Sequence, residues 1–148
     1  MPLDTGFGTM SVGKDYAIDI VQSGGQVLRL GNVTDFDAKP NTKDLKSEGI
    51  DGIVRHAIIP GGWTVTLSID RQDRGVDDFF AQFEADYYAG KTLRNMTITE
   101  SINEADGTIS QWRYVGVALK LDDNGKRKAD EYVKMKMSGH CAKRLRVQ

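Results

Sequence analysis

Cysteine is nearly absent from this chain: among 148 residues only Cys141 carries a thiol. One thiol cannot close an internal disulfide, so a packed core has to hold the fold, and such usage fits synthesis in a reducing compartment. Charge of either sign is not in excess. The 20 basic side chains stand against 21 acidic ones for a net −1, which leaves no polycationic surface to grip nucleic acid. No apolar run approaches the length a bilayer-spanning helix needs, and the first residues lack the apolar centre of a secretory signal. These absences predict a soluble, intracellular, globular chain with no membrane partner, of a size that suits one domain over residues 1–148.

Chemistry-bearing residues are equally sparse. Histidine occurs only as His56 and His140. His56, between Val54 and Ile58, reads as a packed or interface residue rather than a base. His140 and Cys141 are sequence neighbours, so on a strand they point to opposite faces and cannot act as base and nucleophile. Neither histidine has the spaced partners of a zinc site. Asp122-Asp123-Asn124-Gly125 lacks the spaced ligands and closing glutamate of a calcium loop, and a hairpin turn accounts for it. The glycine pairs do not precede helices, so no nucleotide loop is indicated. Lys143, Arg144 and Arg146 near the C-terminus read as solvated charge. No catalytic, cofactor or metal set emerges, and the expectation is a protein that is not an enzyme.

What is present is strand pattern, interrupted by one convincing helix over Gly75–Gly90. Val76, Phe79, Phe80, Phe83 and Tyr87 recur at helical spacing, with Asp77, Asp78, Glu84 and Asp86 on the other side. Asp77 and Asp78 sit at the positive N-terminal end, and Gly90 stops the helix. The aromatic stripe predicts a main anchor of the fold, packed on a sheet; Tyr88 stands beside the stripe.

Elsewhere apolar and polar residues alternate. Tyr16, Ile18 and Ile20 share a face over Asp15–Gln22, and Ser23-Gly24-Gly25 is a turn composition leading to a strand over Gln26–Leu30. Val33–Phe36 resumes the strand after an interruption at Gly31-Asn32, a bulge or bend. Ile53–Ile59 and Trp63–Ile69 read as a hairpin joined by Pro60-Gly61-Gly62. Strands follow over Leu93–Ile102, where Glu100 interrupts the apolar side, over Thr108–Leu121 after the Asp106-Gly107 turn, and over Asp130–Met137. The pattern predicts a mainly β fold: an antiparallel β-sandwich or barrel of about seven strands with one flanking α-helix.

Three stretches stand out from this pattern. Met1–Lys14 is either a flexible start or an arm that orders against a neighbouring subunit. Asp37–Gly52 breaks every periodicity and reads as a long connection, either a solvated mobile loop or a projection that meets another subunit. Its candidate contact residues are Lys39, Lys43, Asp44, Leu45, Lys46, Glu48, Ile50 and Asp51. The strand faces opposite the core are short and neutral, with Thr64, Thr66 and Ser68 on one strand and Asn95, Thr97, Thr99 and Ser101 on another. Such a face suits a channel lining or a neighbour, although the β-propensity of threonine also explains it.

This order resembles the tail tube proteins of contractile-tailed bacteriophages, whose fold is shared by the tube protein of type VI secretion systems. The residues that carry the resemblance are an N-terminal segment, a first hairpin, the polar stretch Asp37–Gly52, the hairpin around Pro60-Gly61-Gly62, the aromatic helix and the closing run Val115–Met137. The resemblance implies a virion protein assembled in the bacterial cytoplasm, forming hexameric rings that stack into a tube for DNA ejection. It implies that Lys39–Asp51 stacks rings, that the arm 1–14 and the tail 141–148 contact other subunits, and that Thr64, Thr66, Ser68, Thr97 and Thr99 face the lumen. There a tape measure protein and transiting DNA would pass without sequence-specific binding. It also implies that Asp77, Asp78, Glu84, Asp86 and Tyr88 face a sheath. Alternatives are another small tail component, such as a tube initiator, terminator or baseplate piece, and a monomeric β-barrel that binds a small ligand near Trp63 and Trp112.

Overall fold

Alternating apolar residues become strands along most of this chain, and the strands then curl over one another. A computed structural model describes residues 3–4, 6–10, 12–22, 27–28, 32–72, 74–92 and 95–147. A short hairpin, β1 (Leu3–Asp4) against β2 (Thr9–Met10), opens the chain. β3 (Tyr16–Val21) follows and pairs with β4 (Val27–Leu28). The Ser23-Gly24-Gly25 turn between them and the interruption at Gly31 lie outside the described residues. β5 (Asn32–Glu48) and β6 (Val54–Asp70) pair antiparallel from end to end. Then come α1 (Gly75–Tyr88), β7 (Met96–Asn103), β8 (Ile109–Asp123), β9 (Lys134–Cys141) and β10 (Lys143–Arg146).

The main sheet path is β4-β3-β7-β8-β9-β6-β5, with β10 continuing alongside β8 beyond β9. Two strands separate β8 from β5 on this path, yet the rings of Phe36 on β5 and Tyr114 on β8 lie 6.0 Å apart. Trp63 on β6 meets Tyr114 at the same distance. The sheet therefore curls until its two halves face each other, a mainly β arrangement of sandwich or partly open barrel type. β8 spans both halves, and Gly116 within it takes φ +68°, a backbone state that glycine adopts without Cβ strain.

The core lies inside the curl. Ile20, Ile98, Tyr114 and Val117 from one half meet Val65, Leu67, Ile69, Met135 and Met137 from the other, all essentially without solvent exposure. Each such side chain contributes on the order of 1.5–3 kcal/mol of burial. Trp63, Val65, Leu67 and Ile69 share the inward face of β6, as the alternation predicts.

Four expectations about the elements need correction. Asp37–Gly52 is not a loop: it is the outer length of β5 up to Glu48, followed by a tight turn. Its charged residues conceal a strand because both faces meet solvent, so no apolar alternation is required there. Pro60-Gly61-Gly62 is not a hairpin turn but lies inside the continuous strand β6, at a register shift opposite Pro40–Thr42. Bulges tolerate proline, and a Cβ on Gly62 would lie 2.6 Å from the Cys141 carbonyl oxygen, so close strand approach accounts for this glycine. The last predicted strand, Asp130–Met137, begins instead at Lys134, and the tail beyond it is strand β10 rather than a free end. Finally, α1 is not a main anchor. Only Val76 is fully buried, Phe79 and Phe80 pack half-buried against the core margin, and Tyr87 is 62% exposed. The two sheet halves already fill one another's apolar faces, which leaves the helix a flank to cover.

The helix ends as predicted. Gly90 at φ +75° lets its own N–H reach the Tyr87 carbonyl at 3.1 Å and the Lys91 N–H reach that of Asp86 at 2.9 Å, the paired closure of a glycine-terminated helix.

Candidate assembly surfaces

Beyond the body, β5 and β6 continue as a two-stranded ribbon. From Lys39 to Glu48 and from Val54 to Gly61 every residue is exposed. This ribbon gathers the predicted contact residues Lys39, Lys43, Asp44, Leu45, Lys46 and Glu48 on one strand, with Ile50 and Asp51 in the turn. One face of its outer length carries the pairs Lys43/Ile59, Leu45/Ala57 and Ser47/Arg55; the other carries Asp44/Ile58, Lys46/His56 and Glu48/Val54. Ile58 is 68% exposed, and Leu45, Val54 and Ile59 are also open to solvent. The returning strand adds Val54, Ile58 and Ile59, whose apolar run over Ile53–Ile59 reads in sequence as a core strand. A lone hairpin is marginal in water, and this one leaves apolar residues open on both faces.

The tip is a formed turn. The Gly49 N–H donates to the Ile53 carbonyl at 3.0 Å and the Gly52 N–H to the Gly49 carbonyl at 3.0 Å, with Gly52 at φ +78°. The Asp51 carboxylate accepts from Arg55 at 3.1 Å and from the Ile53 N–H at 3.0 Å. The Arg55 guanidinium and then the Ile53 N–H hold this carboxyl below the usual range. Along the ribbon Lys39 pairs with Asp37 at 3.7 Å and Lys46 with Glu48 at 3.5 Å; exposed pairs of this kind contribute little to stability.

At the root of the ribbon a second feature appears that the sequence reading did not assemble. Glu100 on β7, the residue that interrupts an apolar alternation, is 6% exposed and faces inward. Its carboxylate lies 3.8 Å from Arg144 of β10, whose guanidinium sits 3.8 Å over the Trp112 ring and 5.0 Å from that of Trp63. Arg144 is thus not solvated terminal charge but a cation held among aromatic faces. Burial pushes the Glu100 carboxyl up despite the attraction of Arg144. Burial and the nearby Glu100 charge push the Tyr114 hydroxyl up to about 12. Beside this cluster, between β3 and β5, opens a pocket of about 410 Å³ whose wall includes Ile18, Val33, Phe36, Trp63 and Tyr114 together with Glu100 and Arg144.

The helix acids divide. Asp77 accepts from Arg71 at 2.8 Å, and the Asn124 amide, oriented to satisfy both neighbours, bridges Asp77 to Arg127. Asp78 pairs with Arg74 at 3.5 Å and Asp86 accepts from the Gln82 amide at 2.8 Å. Glu84 and Tyr88 are exposed, and Tyr88 stacks edge-on with Tyr87 at 5.3 Å. The short polar faces lie on the outside of the curl: Thr64, Thr66 and Ser68 on β6, Thr97 and Thr99 on β7, with β8 and β9 between them. Among the described residues no cluster of three or more His, Cys, Asp or Glu side chains could hold a metal ion.

By sequence, no protein-family model and no curated protein matches this chain. By structure, it is similar to known assemblies. It superposes on a chain of the sheath–tube complex of the extracellular contractile injection system PVC in its extended state, with a TM-score of 0.61 at 8% identity, covering 88% of this chain and 87% of that one. A chain of the anti-feeding prophage baseplate gives 0.57 at 8% identity over 95% and 97% of the two chains. The SPP1 tail tube gives 0.54 at 10% identity, over 91% of this chain and 77% of that one. The fold is therefore that of tail-tube-like proteins.

Proposed function

We propose that this chain is a non-enzymatic structural subunit of a phage-type tail or related injection apparatus, forming rings that stack into a tube. The observation that carries this reading is the β5–β6 ribbon, which projects from a tail-tube-like body with apolar residues open on both faces. In a ring the outer edges of β4 and β5, which pair with no further strand among the described residues, would find neighbours, removing the hazard of exposed strand edges. Following the family resemblance, the ring is a hexamer, the ribbon reaches the adjacent ring, and the lumen passes a tape measure protein and DNA. A smooth threonine-lined wall would let polyanions slide, whereas a basic one would bind them. The exposed Glu84 and Tyr88 on α1 are the part of the helix best placed to meet an outer sheath.

Negative-stain microscopy combined with light scattering on purified protein tests this directly. Rings or tubes are expected, and a monomer at every concentration would overturn the reading. The structural likeness to a baseplate chain, and to a tube-terminating cap chain (TM-score 0.60, 10% identity), favours a second reading in which the chain is an initiator, terminator or baseplate piece. Copy number in the intact particle separates the two, since a tube subunit is far more abundant than a component of one terminal ring.

A further inference from the structure

We propose that Ile50 at the ribbon tip is a plug that seats in the β3–β5 pocket of a second copy of this chain, an assignment that rests on the stacking reading above. The tip is pre-organised: its turn is closed by its own backbone bonds and by Asp51, and it holds the Ile50 side chain fully in solvent. A rigid apolar knob loses little freedom on docking. The pocket offers the matching chemistry. Ile18, Val33, Phe36, Trp63 and Tyr114 supply an apolar wall with room for a branched aliphatic side chain and its flanking backbone.

Polar groups match as well. The Arg144 Nε is buried and has no hydrogen-bond partner among the described residues, an arrangement that is costly unless an acceptor arrives. The carbonyls of Ile50 and Asp51 take no part in the bonds that close the turn and are the acceptors a docked tip brings. Among the described residues the pocket wall carries Asp35, Asp37 and Glu100 against one cation, Arg144; Glu100 pairs with Arg144 and Asp37 with Lys39, which leaves Asp35. The ribbon face with Leu45 and Ile59 carries Lys43, with Arg55 already held by Asp51, so Lys43 and Asp35 bring opposite charges together and set register.

Plug and pocket lie at opposite ends of one strand, with Phe36 and Ile50 separated by about 45 Å of extended chain at the usual strand rise. No molecule can fill its own pocket. In rings stacked one way, as in the reading above, each copy gives its tip to the next ring and receives one from the ring before, a heterologous contact that propagates along the ribbon; a reciprocal two-fold pair would instead stop at a linked dimer.

The test is the double variant Ala38→Cys/Ile50→Cys, because Ala38 also lines the pocket and lies too far from position 50 within one chain for a disulfide. Cys141 is buried and stays out of reach. Mild oxidation of assembled protein should produce a ladder of covalently linked chains, absent from either single variant. Ile50→Asp, at a fully exposed position, should fold normally yet raise the concentration needed for stacking at least tenfold. Tubes without a ladder would overturn the plug while leaving the tube-subunit reading intact. Wild-type stacking by Ile50→Asp overturns the plug whatever the gel shows, and a protein that never assembles overturns both.

Discussion

The body and the ribbon are made of the same two strands, and they live under opposite rules. Below Pro40 and Trp63, β5 and β6 alternate an inward apolar face with an outward polar one, and Val65, Leu67 and Ile69 lose all contact with water. Above them the strands stay paired, yet both faces are solvated and carry Ile58 and Leu45 beside lysines and carboxylates. Pairing alone does not stabilise a two-stranded ribbon in water. The body supplies its own stability from its core; the ribbon has no core of its own.

Substitutions sharpen that contrast in order of expected effect. Leu67→Ala opens a cavity between the two sheet halves and should cost about 2–5 kcal/mol in urea denaturation. Loss of less than ~1 kcal/mol would mean that the curl does not close on itself as described. At the junction, Gly62→Ala combines a φ of +86° with a Cβ 2.6 Å from the Cys141 carbonyl oxygen. It should destabilise by more than about 1 kcal/mol, whereas the same change at Gly52 in the tip, with open space around it, should cost less.

Glu100 tests the body's polar seam through pH. Its carboxyl is raised in the folded state above the ordinary 4.5, so between the unfolded and folded values the native protein binds more protons. Stability should therefore fall as pH rises through that window, and Glu100→Gln should flatten the slope. Denaturation midpoints across mildly acidic pH read this out; an unchanged slope would assign the pH dependence elsewhere.

The smallest effect on folding is expected from removing the ribbon altogether. Replacing Lys43–Ile59 by Asn-Gly, between the paired residues Thr42 and Pro60, should leave the body's stability within about 1 kcal/mol, because the excised residues bury almost nothing. Assembly by light scattering should disappear. An unfolded product would make the ribbon part of the core and erase the contrast.

Much of the body was legible because half-buried strands and helix ends obey local rules. Val65, Leu67 and Ile69 announce an inward face by period two, Gly90 announces a helix end, and Asp106-Gly107 announces a turn that the structure contains, with Gly107 at φ +86°. The surface residues of Asp37–Gly52 were legible as a group but not as a strand, since a ribbon solvated on both faces has no periodicity to read. Trp63, Trp112, Glu100 and Arg144 were each visible, and the break at Glu100 was the one sign of a buried charge. Nothing local says that Arg144 would be its partner.

Composition and pattern by themselves determined a mainly β chain, one amphipathic helix and a polar segment set apart from the core, because propensity and alternation act over a few residues. The curl of the sheet decided the rest. It alone brought β10 and β7 together around a buried ion pair, left the helix on a flank, and turned an apparent loop and an apparent Pro-Gly-Gly hairpin into one long ribbon. Those outcomes depend on strand pairing between residues far apart in the chain, where the free energy belongs to contacts that no local stretch contains.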